Sequence, residues 1–194
     1  MKALGCDFMF APTSPFGRLI GGLARVDFAT ADGKTVRAML DEIRFDDASL
    51  TRFTNFLPGR HSRNGVYRNP RFELIVMCWP ADVHSAVHEH GGSRGFVKVE
   101  RGSLVAENYT VVESEQQAGY ARLAFDGRRA LEAGDIEVTA PGQDVHRVGA
   151  VGQDAVSLHL YAKPLDTFFV FDEGSRTCRE VTSRYDTMPY MENL

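Results

Sequence analysis

The chain has 194 residues, of which 43% are hydrophobic and 25% are charged, as is usual for a soluble globular protein. Its formal net charge is −4 and it has no long basic run, which disfavours nucleic acid as a partner because phosphate binding needs a concentrated cationic surface. No apolar segment is long enough to span a bilayer, so we expect no membrane partner.

Cysteine usage and the first residues predict the compartment. Cys6, Cys78 and Cys178 are odd in number and widely spaced, which indicates neither a disulfide framework nor a cysteine zinc site. The start of the chain lacks the layout of a secretory signal and carries an early acid, Asp7. We therefore expect a cytoplasmic protein, and the length favours a single domain over residues 1–194.

The first part of the chain, residues 1–60, is predicted to be helical. Residues 36–45 place apolar side chains at helical spacing, with charged residues between them. Asp47 or Ser49 is expected to cap a second short helix. Residues 14–28 also carry an apolar stripe, but the glycines within it weaken the prediction of a helix there.

From residue 61 to about residue 185 the sequence is typical of β-structure. Residues 72–79 are rich in β-branched and aromatic side chains, and further short segments of this kind are separated by Gly, Pro or charged turns. These segments are residues 95–99, 104–112, 121–125, 136–140, 155–161 and 167–171. The fold class is therefore predicted to be mainly β, a small β-barrel or jelly-roll sandwich preceded by a short helical segment.

Three histidines form the candidate metal site. His88 and His90 are two residues apart, so on a strand their side chains point to the same face. A third histidine, His146, on a facing strand would complete a set of three imidazoles around one ion. Three protein ligands leave coordination positions open for a substrate, which favours an enzyme.

The residues around these histidines resemble the two sequence motifs of the cupin superfamily, small β-barrels that hold a metal. Glycines follow His90, and Pro141 and Gly142 precede His146. In the usual cupin pattern a glutamate follows the first histidine pair as a fourth ligand. Arg94 and Gly95 occupy those places here, which favours three histidine ligands without a carboxylate.

A wider set of residues is similar to the cysteine dioxygenase family of thiol dioxygenases. The likeness runs from about residue 61 to residue 172, in matching order and spacing. Its motifs are Arg63-Asn64, residues 72–79, His88-Glu89-His90, residues 96–99 with Gly102 and Leu104, His146-Arg147-Val148 and residues 157–161.

This resemblance implies a non-heme Fe(II) dioxygenase in which His88, His90 and His146 hold the iron. Family members oxidise a thiol to a sulfinic acid with both oxygen atoms of dioxygen, so the expected partners are a small thiol and dioxygen. Three neutral ligands leave the ion its full divalent charge, which favours an anionic thiolate. We expect a monomer or a weakly associating oligomer.

The resemblance also implies the residues that bind and orient the substrate. The family arginine for a substrate carboxylate falls on Arg63, whose planar guanidinium can bind both oxygens, with Arg68 as the rival position. His61 stands where mammalian members often have tyrosine, and it could contact the substrate. On the strand at 155–161, Ser157, His159 and Tyr161 share one face and match a hydrogen-bonded relay that ends near the substrate.

Departures from the family pattern leave the substrate open. Mammalian members carry a cysteine at the place of Gly95 and link it to the tyrosine, so Tyr161 should be a free phenol here. The family's Ser-Pro-Pro after the tyrosine is replaced by Ala162, Lys163 and Pro164, and Lys163 could serve a second carboxylate. Cysteine is the preferred substrate, because relatives selective for 3-mercaptopropionate typically replace the arginine by glutamine. The alternatives are 3-mercaptopropionate, mercaptosuccinate or, from another class, a non-catalytic cupin that binds a metal or metabolite.

Overall fold

A computed structural model of the protein describes residues 10–140 and 144–192. Cys6 and the motif residues Pro141 and Gly142 lie outside these ranges. The chain divides into two compact units, Met1–Phe53 and Thr54–Leu194. The expectation of a single domain over residues 1–194 stays a prediction.

The first unit is helical, with α1 at Pro15–Leu23, α2 at Gly33–Glu42 and α3 at Asp47–Thr51. Ser14, Asp32 and Asp46 are the N-caps, and each side chain accepts a hydrogen bond from the backbone N–H three residues later. The prediction that Asp47 or Ser49 caps the third helix is wrong: Asp46 is the cap, and Ser49 donates its N–H to it at 2.8 Å. Among the described residues, no helix is long and apolar enough to cross a membrane.

The second unit is β-structure, as predicted, with one 3₁₀ turn at Gln116–Ala118. Its strands are β1 (Ser62–Arg68), β2 (Phe72–Trp79), β3 (Val87–His88), β4 (Arg94–Arg101), β5 (Ser103–Glu115), β6 (Tyr120–Glu132), β7 (Ile136–Thr139), β8 (Val145–Ala150), β9 (Ala155–Ala162), β10 (Thr167–Asp172), β11 (Thr177–Thr182) and β12 (Tyr190–Met191). One sheet has the order β12-β1-β2-β9-β4-β7, and β10-β11-β6-β5-β8-β3 form a closed set. The predicted fold class, a small β-barrel after N-terminal helices, is confirmed.

Strand pairing brings the chemically interesting residues to the interior. The central strands β2 and β9 are antiparallel, with Glu73 opposite Tyr161 and Ile75 opposite His159. In the other sheet β3 pairs with β8 and sets His88 opposite His146. Apolar side chains from both sheets form one buried cluster around these strands, including Ile75, Trp79, Leu104 and Val148, so the site is built on the rigid part of the barrel.

Candidate metal centre and substrate cavity

The three predicted histidines converge. The possible ligand atoms of His88, His90 and His146 all lie within 4.8 Å of one another. Strand β3 ends at His88, but a backbone hydrogen bond of 3.1 Å from Glu89 N to the carbonyl of Phe169 continues the extended pairing. His90 therefore still points to the same side as His88, as the two-residue period requires.

The electrostatics of this cluster suit a divalent transition metal. Burial lowers the pKa of His88 to about 4 and lowers the pKa values of His90 and His146 well below the usual range. The imidazoles are therefore neutral near pH 7 and have a lone pair to give to an ion. Nδ1 of His88 lies 2.9 Å from the carbonyl oxygen of Ala86, so Nδ1–H donates there and Nε2 is left for the metal.

A carboxylate is absent from the histidine cluster within the described ranges. The nearest acid in sequence, Glu89, uses its oxygens to accept hydrogen bonds from the backbone N–H groups of Gly91 and Phe169, at 2.6 and 2.7 Å. Its carboxylate is therefore engaged with the turn after His90 and with strand β10. This geometry agrees with the three-histidine site expected from Arg94 and Gly95.

A chain of hydrogen bonds runs along the polar face of β9. Trp79 donates Nε1–H to Oγ of Ser157 at 2.9 Å, Ser157 Oγ lies 2.8 Å from Nε2 of His159, and His159 Nδ1 lies 3.3 Å from the Tyr161 hydroxyl. Because the indole can only donate, the Ser157 oxygen accepts there and its own hydrogen is available for His159 Nε2, in the tautomer that leaves the ring proton on Nδ1. His159 then carries its proton on Nδ1 and donates it to Tyr161.

With the hydrogen bonds in this order, the Tyr161 hydroxyl hydrogen is free to be donated to a ligand in the cavity. The phenol oxygen accepts from His159, so its O–H points elsewhere. Burial raises the pKa of Tyr161 to about 12, against the opposing effect of Arg63, so the phenol stays protonated. Its ring centroid lies 5.6 Å from that of His90, which puts this donor beside the histidine cluster.

One cavity of about 260 Å³ joins the metal centre to the relay. Its apolar wall includes Met77, Leu165 and Phe168. Of the eight predicted site residues it is lined by six, namely His61, Arg63, His88, His146, His159 and Tyr161. Ser157 and His90 stand behind this lining, Ser157 in the relay and His90 in the histidine cluster.

Arg63, not the rival Arg68, faces this cavity. Arg63 Nε and Nη2 are buried and have no hydrogen-bond partner in the described part of the chain. Arg68 lines a separate surface pocket, and its guanidinium is engaged with Asp166 at 2.5 Å and with the Tyr185 hydroxyl at 3.0 Å. Buried N–H groups without partners are costly in a finished structure, so those of Arg63 indicate a ligand that supplies acceptors.

The other two predicted contacts, His61 and Lys163, line different pockets. His61 lines the cavity with its ring centroid 4.9 Å from that of Trp79, and burial lowers its pKa to about 4, so it contributes a neutral imidazole. Lys163 has a left-handed backbone, with φ of 88°, and it lines the surface pocket of Arg68. Lys163 therefore does not line the cavity, where it was expected to bind a second substrate carboxylate.

Sequence reasoning missed three residues of this region, Glu73, Arg179 and Tyr185. Glu73 is fully buried in β2 and ion-paired with Arg63 and Arg68. Arg179 lines the cavity from β11. A lone acid in the apolar run at residues 72–79 was the one available signal, because an acid is rarely buried unless it is paired.

The strand position opposite Tyr161 excludes a cysteine–tyrosine link. Gly95 pairs with Tyr161 between β4 and β9, and a Cβ atom at Gly95 would lie 2.4 Å from Oγ1 of Thr139 and 3.3 Å from Cε1 of Tyr161. The absence of a Cβ lets Thr139 Oγ1 accept the Gly95 N–H at 3.0 Å.

We therefore expect the purified protein to contain an unmodified Tyr161. Forming a thioether would remove two hydrogens, so intact-mass and peptide-mass measurements should find the peptide of Tyr161 at its sequence mass before and after turnover. Glycine has no sulfur to give to such a link, and Cys78 and Cys178 are buried away from the cavity lining. A peptide of Tyr161 joined to any cysteine peptide would contradict this expectation.

Comparison with solved structures finds shorter chains that match this one over most of their own length. The chain matches TT1209 from Thermus thermophilus with 18% identity and a TM-score of 0.47, over 62% of this chain and 98% of that one. It also matches a cupin superfamily protein from Desulfitobacterium hafniense with 12% identity and a TM-score of 0.45, over 63% and 93% of the two chains.

Comparison with protein families and curated proteins is more specific. A family model described as "Cysteine dioxygenase type I" matches residues 16–174. Human cysteine dioxygenase type 1 is 26% identical over 153 residues, which cover 77% of this chain and 74% of the human protein, and the rat protein is 28% identical over the same shares. This family supports thiol dioxygenase activity that depends on a metal. Since the match extends over well more than half of the sequence, the chain belongs to the cysteine dioxygenase type I family.

Proposed function

We propose that this protein oxidises the thiol of L-cysteine to the sulfinic acid, R–SH + O₂ → R–SO₂H, with Fe(II) held by His88, His90 and His146. The observation that carries the proposal is that Nε and Nη2 of Arg63 are buried without a hydrogen-bond partner among the described residues, in the same cavity as the three-histidine cluster. A small thiol with a carboxylate satisfies both features at once. When bound, the ferrous ion supplies the redox chemistry that brings the thiol and dioxygen together.

The histidine cluster supports the metal part of the proposal. Three neutral imidazoles do not offset the charge of the ion, so it attracts a thiolate strongly and keeps positions open. Nickel or zinc would also fit such donors, since affinity alone does not select iron. Iron is proposed because the family reaction consumes dioxygen.

Arg63 would bind the substrate carboxylate. Its planar guanidinium presents parallel N–H groups that match two carboxylate oxygens, and such charge-assisted pairs are stronger than neutral hydrogen bonds. A carboxylate entering the cavity loses water, which a fixed cation must replace. His61, on the same cavity wall, would provide a neutral contact for the substrate.

Tyr161 would hold a proton at its hydroxyl oxygen and donate it toward the substrate. Ser157 and His159 would keep that donor oriented, because hydrogen bonds connect Trp79 to Ser157, Ser157 to His159 and His159 to Tyr161. The apolar wall, including Leu165 and Phe168, would limit water near the reacting thiol. A protein that only bound a metal or metabolite would have no need of this ordered donor.

A second candidate is a larger thiol with two carboxylates, such as mercaptosuccinate, and Arg179 favours it. This exposed residue lines the same cavity as Arg63, so it could bind a second carboxylate at the entrance. The related candidate 3-mercaptopropionate has one carboxylate and no amine. We favour cysteine because Arg63 is largely buried whereas Arg179 is exposed, and a solvent-exposed cation attracts an anion weakly.

Oxygen uptake and product mass on a panel of thiols test the proposal. With iron-loaded protein we expect cysteine to be consumed fastest and its product to gain two oxygen atoms, both from labelled dioxygen. Cysteamine, which lacks a carboxylate, should react much more slowly. Fast oxidation of mercaptosuccinate or 3-mercaptopropionate beside negligible turnover of cysteine would contradict the substrate, and no thiol oxidation at all would contradict the function.

A further inference from the structure

The carboxylate of Glu73 is buried beside the substrate cavity and is fully paired. The side chain has no solvent exposure, and isolation of such a charge would be very costly. Oε1 accepts the backbone N–H of Leu165 at 3.0 Å. Oε2 accepts the hydroxyl hydrogen of Tyr185 and lies 3.4 Å from Nη1 of Arg68.

Arg63 is held by the same group of residues. Its Nη2 lies 3.6 Å from Oε1 of Glu73, and its guanidinium carbon lies 5.9 and 5.8 Å from the ring centroids of Tyr161 and Tyr185. Both distances are within the range of cation–π contacts. Its backbone is fixed by Asp186, whose carboxylate accepts the Arg63 N–H at 2.9 Å and whose own N–H donates to the Arg63 carbonyl at 2.8 Å.

Arg63, Arg68 and Glu73 together carry two positive charges and one negative charge, which leaves one positive charge for an anionic ligand. Among the described residues, Glu73 is the buried carboxylate that pairs with both Arg63 and Arg68, and Asp166, the second partner of Arg68, is 73% exposed. Arg68 and Tyr185 occupy Oε2 of Glu73, whereas Oε1 lies 3.6 Å from Arg63 Nη2. Glu73 and Arg63 are therefore ion-paired without a hydrogen bond, and Nε and Nη2 of Arg63 still have hydrogens for an acceptor. Burial raises the pKa of Tyr185 to about 12, which keeps its phenol a donor.

We propose that Glu73 and Tyr185 are positioning residues that hold Arg63 for the carboxylate of a thiol substrate, so that the C-terminal segment at residues 183–186 completes the substrate site. This inference rests on the proposed function. Residues 183–186 lie beyond residues 16–174, which the family model matches. The site selects thiols with one carboxylate near the sulfur.

Tyr185→Phe tests this role with the smallest change, because it removes one hydroxyl and keeps the ring. In iron-loaded protein we expect the KM for cysteine to rise roughly fivefold, the size of one lost hydrogen bond, while kcat and the kinetics with cysteamine stay within about twofold. Oxygen-free calorimetric titration with cysteine should show the same loss of affinity. Tyr109→Phe is the matched control, since Tyr109 is also buried but its hydroxyl faces Glu107, and it should change neither substrate.

Glu73→Gln tests the anchor itself, with a larger expected rise of roughly tenfold or more in the KM for cysteine. Glu137→Gln is its control, because Glu137 is a buried, ion-paired carboxylate in β7. Unchanged or tighter cysteine binding in both variants would overturn the proposal, as would equal losses for cysteine and cysteamine. If Glu73→Gln does not fold, Tyr185→Phe decides. If the wild type oxidises no thiol, the proposed function fails, and the oxygen-free titrations still report whether Glu73 and Tyr185 affect carboxylate binding.

Discussion

Replacing His146 by alanine is expected to abolish metal binding and thiol oxidation together while the barrel remains folded. The variant loses one of three ligands, and alanine offers no atom that could replace an imidazole. Loss of a residue that merely supports a metal ligand typically costs 10- to 100-fold, so removal of a ligand should lower activity by at least about 100-fold. Metal analysis and oxygen uptake measure the two losses, and circular dichroism measures the retained fold.

His84→Ala is the control for this experiment. His84 is exposed and pairs with Gly149 in an isolated bridge, outside the cluster of three histidines. It should keep its metal content and its rate. Stoichiometric metal in His146→Ala, or loss of metal in His84→Ala, would mean that the cluster at His88, His90 and His146 is not the metal centre.

The barrel could be predicted because each strand carries its own signal. Residues 72–79 are buried on both faces of the central sheet, and a run of β-branched and aromatic residues is typical of such a strand. The hairpin of β5 and β6 is longer than predicted, since each strand has 13 residues. Its outer half is exposed and therefore carries no hydrophobic alternation from which its length could be read.

Helix starts were predicted less well than helix existence. Three residues of types that are acceptable N-caps, Asp46, Asp47 and Ser49, lie close together at the start of α3. The choice among them depends on where the backbone first turns helical, which places the cap at Asp46. In α1, which forms despite its glycines, burial of Phe16, Leu19 and Leu23 outweighs the cost of glycine in a helix.

The histidine cluster and the relay could be anticipated because both follow from strand period. His88 and His90, like Ser157, His159 and Tyr161, are two residues apart, and side chains at that spacing share a face. The contact of Glu73 with Tyr185 spans 112 residues of sequence, and no local pattern marks such a pair. Tyr185 lies beyond the last long strand, in a segment whose composition does not distinguish a cavity wall from a surface loop.

Replacing Arg63 by alanine is expected to separate cysteine from cysteamine. The change removes a buried cation opposite the substrate carboxylate, and loss of one partner of such a pair costs on the order of 3 kcal/mol. The kcat/KM for cysteine should therefore fall roughly 100-fold. Cysteamine has no carboxylate, so its kcat/KM should change by less than about threefold. Steady-state oxygen uptake with both thiols measures the difference.

Arg63→Lys separates the charge of the side chain from its shape. An ammonium restores one positive charge but not the planar pair of donors, so this variant should recover only part of the loss for cysteine. Arg179→Ala is the matched control for a second arginine on the same cavity, and it should leave cysteine unaffected. Equal losses for both thiols in Arg63→Ala would make Arg63 a structural residue. A loss of cysteine oxidation in Arg179→Ala as large as in Arg63→Ala would contradict the assignment of the carboxylate contact to Arg63 alone, because the exposed arginine would then contribute as much to cysteine oxidation as the largely buried one.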